Sequence, residues 1–274
     1  MAYDQPIIAF DNLLDTSLIN IVHGSLAEGA SLAALNNADL LRPCTFMPDS
    51  TGWVELHIHI GQTVDCLILG AARNDVGGKL TGVTSLTMQA FTATHPFGFS
   101  AFGVGNYGGY MQVAGTQVLP VDTLSANSTL YKFPATAHFI SVRLLGTVGV
   151  PMVIPELFLG RTLTMPYLDY GYDPYNEVAA NTLFVAESGR EYARLRYRRV
   201  ELSPSWSMIE TPLWAAVDGF RERSLETRQP FWFAWAPDSA PTQVYLVRHT
   251  GNGAPFPMHS AKHRSLKLTL QEVI

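Results

Sequence analysis

The stretch Trp53-Val54-Glu55-Leu56-His57-Ile58-His59-Ile60 alternates without a break. Val54, Leu56, Ile58 and Ile60 point one way, and Glu55, His57 and His59 the other. Successive side chains of a strand fall on opposite faces, whereas a helix repeats every 3.6 residues, so only a strand keeps this apolar set on one side. The pattern predicts a strand with one face on a core and the other wet or against a partner. Val64 to Leu69 is a second, buried strand candidate, followed by the turn Arg73-Asn74-Asp75. Residues 80–91, 108–114 and 138–145 supply further runs, Phe139-Ile140-Ser141-Val142-Arg143-Leu144 among the clearer ones. Phe97 to Gly109 is rich in glycine and aromatic residues, which suggests a long exposed loop with rigid contact groups.

The second half keeps the strand period with one exception. Residues 181–186 and 192–202 are strand-like, but in 211–224 Leu213, Val217 and Phe220 recur at helical spacing. Thr211 is placed to cap and Pro212 suits the first helical position, with Trp214 joining the apolar face less regularly. One amphipathic helix packed on a sheet is expected. Pro230 to Ala236, Gln243 to His249 and Leu266 to Val273 return to strand, with Leu266, Leu268 and Leu270 alternating against Lys267, Thr269 and Gln271. The chain is expected to be mostly β, and its 274 residues suffice for two ordinary domains or one large β domain.

Composition separates the halves. Residues 1–165 carry 6 Lys+Arg against 11 Asp+Glu, while 166–274 carry 12 against 12, ten of those basic residues being arginine. Tyr167, Tyr170, Tyr172 and Tyr175, then Phe231, Trp232, Phe233 and Trp235, also fall in the second half. Two domains are expected, 1–165 and 166–274, joined near Met165-Pro166. The sequence leaves open whether residues 1–12 belong to the first domain or pair with the second.

Several function classes drop out on composition. A net charge of −5 opposes the phosphate contacts of a nucleic-acid binder. No apolar run approaches the ~20 residues of a membrane helix, and the N-terminus lacks the basic and apolar regions of a signal peptide, so synthesis in the cytoplasm is expected. Hydrophobic residues at 47% against 15% charged allow a sizeable core and a lightly charged surface. Cys44 and Cys66 sit in apolar stretches and are expected to be buried free thiols.

Catalytic and metal motifs are equally thin. His57 and His59 lie two apart on one strand face without a third ligand, and His259 and His263 lie in a proline-containing stretch better suited to a loop. Gly103-Val104-Gly105-Asn106-Tyr107-Gly108 matches a dinucleotide fingerprint on paper, but no amphipathic helix or correctly spaced acid follows it. Asp169, Asp173 and Glu177 lie close together in sequence, yet a glycosidase needs two carboxylates across a cleft. With no convergent acid, base and nucleophile, a non-enzymatic protein without cofactor or metal ion is expected.

Leu40-Leu41-Arg42-Pro43, then Thr51-Gly52-Trp53-Val54-Glu55-Leu56, then Gly61-Gln62-Thr63-Val64-Asp65-Cys66-Leu67-Ile68-Leu69 form a succession similar to the galactose-binding-like (discoidin-type) β-sandwich. Phe139 to Leu144 followed by Ile154-Pro155-Glu156-Leu157-Phe158-Leu159-Gly160 resembles the last two strands of that family. The resemblance spans roughly the first 165 residues. The later order resembles minor tail and tail-tip (distal tail-like) proteins of long-tailed bacteriophages: a tyrosine-rich link, an arginine-rich strand at 194–199, a helix, Pro230-Phe231-Trp232-Phe233 and a terminal strand. In those proteins a discoidin-like module joins a β domain that packs on the tail hub.

The resemblance implies a mostly β chain, with an N-terminal galactose-binding-like sandwich and a second β-rich domain carrying one packed helix. It also implies a structural component of the virion tail that forms a homo-oligomer, assembles with other tail proteins and meets host-surface saccharides. The alternative is a stand-alone carbohydrate-binding protein, and a third reading is a glycan-degrading enzyme. Loops at one end of such sandwiches hold ligands, and the positions here are Trp53, Asn74, Asp75, Asn106, Tyr107 and Tyr110. An aromatic face to stack a sugar ring, with amides and carboxylates for its hydroxyls, suits a saccharide. Trp53, which starts a strand, can equally serve the core. Arg194, Arg196 and Arg198, alternating along a strand, with Tyr170 and Tyr172, are the candidate interface, while Phe231 and Phe233 are expected in the core.

Overall fold

The computed structural model describes residues 4–71, 80–91, 113–120, 128–185, 188 and 190–273. As the sequence predicts, it is mostly β, with eighteen strands and one α-helix among those residues. The chain forms two compact units. One holds the described residues of Asp11–Arg73 and Gly77–Thr162, the other those of Met1–Phe10 and Leu163–Ile274. The first strand, β1 (Ile7–Ala9), is wholly buried and belongs to the second unit, where Ile8 pairs with Phe233.

The sandwich unit contains β2 (Leu18–His23), β3 (Ser25–Leu26), β4 (Cys44–Met47), β5 (Trp53–Gly70), β6 (Val83–Phe91), β7 (Val113–Pro120), β8 (Thr129–Gly146), β9 (Met152–Ile154) and β10 (Glu156–Gly160). Its larger sheet runs β10-β5-β8-β6-β7, with β2 pairing the first half of β5, and its smaller sheet runs β3-β4-β9. Phe46, Met152 and Ile154 from the small sheet meet Val54, Leu56, Ile58, Met88, Val142 and Leu144 from the large one in a single core. Cys44 and Cys66 are buried and free, as expected.

Two details of β5 differ from the sequence pattern. The runs 53–60 and 64–69 are one strand, bulged between His59 and Cys66, and it pairs with β8 from Trp53↔Leu145 to Leu69↔Thr129. Trp53 and Gly70 therefore stand at opposite ends of a single element. The inward set is buried as predicted, but the second face is not wet throughout: Glu55 is 1% exposed and His57 3%. They tolerate burial because they bond each other and because Glu55 also accepts from Arg143 and Ser141, the residues opposite the pair on β8.

The second unit contains β1, β11 (Thr162–Thr164), β12 (Glu177–Val185), β13 (Glu191–Leu202), β14 (Ser205–Glu210), α1 (Trp214–Phe220), β15 (Phe231–Ala234), β16 (Val244–His249), β17 (His263–Lys267) and β18 (Leu270–Glu272). A seven-stranded sheet runs β11-β1-β15-β16-β18-β13-β12, and β14 pairs separately with β17. Phe231 and Phe233 lie in its core, as expected, with Trp206, Phe220, Leu266, Leu268 and Leu270.

The helical spacing at 211–224 yields α1 between a 3-10 turn (Thr211–Leu213) and a π turn (Arg221–Leu225), with Val217 and Phe220 buried. Thr211 does not cap it. Leu213 takes the cap position of α1 and Glu210 that of the 3-10 turn, both without a side-chain bond, and the Thr211 hydroxyl donates to the Lys262 carbonyl. The terminal run 266–273 is two strands in different sheets rather than one, because the Leu268 N–H turns to the Pro204 carbonyl at 3.0 Å. The alternation still buries Leu266, Leu268 and Leu270.

Candidate binding site at the start of β5

The turn before β5 sets the site. Asp49 Oδ1 accepts from the Thr51 N–H (2.8 Å), the Thr51 hydroxyl (2.5 Å) and the Trp53 N–H (3.1 Å). Gly52 has φ +83°, and a side chain there would meet the Gly146 carbonyl at 2.8 Å, so the turn demands glycine. His23 Nδ1 stands 3.1 Å from Asp49 Oδ2. The Thr51 hydroxyl and the Trp53 N–H hold the Asp49 carboxyl down at about 2, so it is ionised at neutral pH.

Trp53 follows from this turn half-buried, and the Arg143 guanidinium lies 4.6 Å from the centre of its ring. Arg143 is fixed in turn by Glu55, to whose Oε2 it donates from Nε (3.0 Å) and Nη2 (2.9 Å). Ser141 Oγ donates to Glu55 Oε1 at 3.0 Å, and His57 Nε2 lies at the same distance from that oxygen. Burial alone would push the Glu55 carboxyl up. The bonds from His57, Arg143 and Ser141, with the Arg143 charge, outweigh it and hold the group at about 2. Farther along the face Phe139 packs edge-on against His57 and His59. Burial, then the neighbouring His57, lowers the His59 pKa.

This arrangement fixes the Trp53 ring between a braced guanidinium and a hydrogen-bonded polar turn. Glu55 is ionised at neutral pH and occupied on both oxygens, so it is a brace for Arg143 rather than a proton donor. Trp53 is the sequence-predicted ligand residue that the structure places here. Asn74, Asp75, Asn106, Tyr107 and Tyr110, and the glycine-rich string 103–108, lie outside the described residues. His23, Asp49, Glu55, Ser141 and Arg143 were not singled out as binding residues from sequence. The Asp-x-Thr-Gly turn at 49–52 was a usable signal for Asp49. The Glu55–Arg143 pairing needs the β5–β8 register, which no local pattern supplies.

In the second unit, Arg198 is exposed on β13, and the side chains of Arg194 and Arg196 lie outside the described set. Leu195 and Tyr197 face the consecutive residues Asn181 and Ala180, so Arg196 is the extra residue of a bulge that interrupts the expected row. Tyr170 is fully exposed. Tyr172 packs edge-on against Phe233, and its buried hydroxyl has no hydrogen-bond partner among the described residues. Asp169 is engaged by Ser207 and Asp173 by the Tyr175 N–H, which gives both a local structural role. His263 begins β17 with Nδ1 2.9 Å from the Ser260 hydroxyl, and among the described residues no group of three metal-ligating side chains converges.

No family model and no curated protein matches the chain. Among solved structures it is similar to a family 32 carbohydrate-binding module from C. perfringens NanJ in complex with galactose (TM-score 0.36, 11% identity), covering 56% of this chain and 98% of that one. It is also similar to the lectin domain of lectinolysin complexed with Lewis B antigen (TM-score 0.39, 12% identity, 56% and 98%). A third is a family 32 module from a family 31 glycoside hydrolase of Clostridium perfringens (TM-score 0.38, 8% identity, 55% and 98%).

Proposed function

We propose that this chain is a non-catalytic saccharide-binding protein whose sandwich unit meets the ligand at the Trp53 end of β5. The observation that carries the reading is the half-buried Trp53 indole, held by Arg143 over its ring and by the turn in which the ionised Asp49 carboxylate accepts the Trp53 N–H and also meets Thr51 and His23. A pyranose needs an apolar surface for its C–H face and charged or polar groups for its hydroxyls, and both are gathered here. Screening the intact chain on a glycan array tests the reading. Retention of a defined glycan class that is lost on Trp53→Ala, with the thermal transition unchanged, supports it. An array on which nothing is retained counts against it.

A second reading, a structural component of a bacteriophage tail tip within the virion that assembles with other tail proteins, draws on a different observation. The hairpin β12–β13 extends past the rest of its sheet, with Val185 and Tyr192 exposed, as an element built for contact would be. Antibody detection of the chain in purified phage particles from an infected host, or its absence from them, decides that reading.

A further inference from the structure

The sheet of the second unit ends in a ribbon that no third strand supports among the described residues. Strand β13 pairs with β18 only at Glu201 and Leu202, while Glu191–Arg199 pair with β12 alone among the described residues. Two strands by themselves are marginal in water, and three or more with a packed face are needed for a stable sheet. The outer edge of β12 pairs with no strand among the described residues, although it spans nine residues, Glu177–Val185.

Edges of this kind are normally blunted by lysine, proline or a bulge. The bulge here is on β13, at Arg196, and not on the edge strand. Strand β12 reads Glu-Val-Ala-Ala-Asn-Thr-Leu-Phe-Val, with one charge and no proline. Charge also selects the occupant. If two copies of β12 run antiparallel over their full length, Asn181 meets Asn181 at the centre and Glu177 meets Val185, so no charge opposes its like. The arginines within the ribbon's two strands, Arg194, Arg196, Arg198 and Arg199, all sit on β13, one strand removed from the contact.

We propose that a second copy of this chain pairs with β12 in a two-fold antiparallel arrangement, turning each two-stranded ribbon into half of a four-stranded sheet, β13-β12-β12-β13. The pairing adds about nine backbone hydrogen bonds between copies. It stands apart from saccharide binding, which concerns the other unit.

The test is the mass of the full chain by light scattering across a concentration series. Wild type is expected to approach twice its 30.1 kDa at micromolar concentration. Asn181→Lys sets like charges opposite each other at the centre and should weaken the dimer about tenfold or more. Val185 is 68% exposed, so changes there leave the fold intact. Val185→Glu, facing Glu177 of the second copy, should weaken association, whereas Val185→Lys should preserve or tighten it. A wild-type chain still monomeric at about 100 µM overturns the proposal. An assembly of any size that is indifferent to all three substitutions overturns it as well.

Discussion

Glu156 opens β10 with its side chain 2% exposed, and its Oε2 accepts the Ala38 N–H at 3.2 Å. Burial pushes its carboxyl from 4.5 up to about 8; the Ala38 N–H opposes this and the nearby Asp15 and Asp39 charges add to it. The folded group is therefore protonated at neutral pH, while in the unfolded chain it ionises near 4.5. Between those two values the unfolded state binds fewer protons, so stability falls as pH rises. The contribution is fully present below 4.5, is lost progressively up to about 8, and does not change further above that. At 1.36 kcal/mol per pH unit the loss is about 5 kcal/mol. Glu156→Gln keeps the shape and an acceptor for Ala38 but cannot ionise. Urea unfolding at pH 4.5 through 8, followed by hydrogen exchange on peptides of β5 and β8, isolates the sandwich from the second unit. Asp49 and Glu55, whose depressed values contribute stability that is lost as pH falls toward about 2, are common to both proteins and cancel in the difference. The variant should match wild type near pH 4.5 and gain several kcal/mol on it by pH 8. A difference that stays constant across that range would show that Glu156 is not buried and protonated as described.

Other outcomes follow from the same contacts. Arg143→Ala removes two of the four bonds to buried Glu55 together with its counter-charge, so urea unfolding should show a loss of about 2–3 kcal/mol, discounted for the partial exposure of Arg143. Gly82 has φ +74°, and a side chain there would stand 2.1 Å from the Pro151 carbonyl; Gly82→Ala should lower stability by about 2 kcal/mol or more, seen as a lower melting temperature. Burial pushes the Cys44 thiol up to about 11 and Cys66 well above its ordinary range, so both should react with a disulfide reagent about a hundredfold slower in the native chain than in denaturant.

What the sequence made legible was the pattern of faces. Val54, Leu56 and Ile58, Val217 and Phe220, and Leu266, Leu268 and Leu270 are all buried where their spacing puts them. Alternation is a local property, and burial of one face enforces it. Continuity and pairing are not local. Nothing within 53–70 shows that a bulge carries one strand through the glycine and polar residues at 61–63, and nothing within 266–273 shows that the chain changes sheets at Leu268. The second face of β5 is illegible for the same reason, since Glu55 and His57 look solvent-facing until Ser141 and Arg143 are brought opposite them by register. At the candidate site Trp53 was visible as a strand-initiating aromatic, while its rim depends on a turn and on a strand more than eighty residues away.

Trp53 is the centre of the proposed saccharide site, and calorimetric titration of wild type and Trp53→Ala with the glycan that the array retains best addresses that directly. Wild type is expected to bind saturably and the variant at least about tenfold more weakly, with both proteins melting alike. Equal affinity in the two proteins, or no heat of binding to any glycan at millimolar concentration, would contradict it.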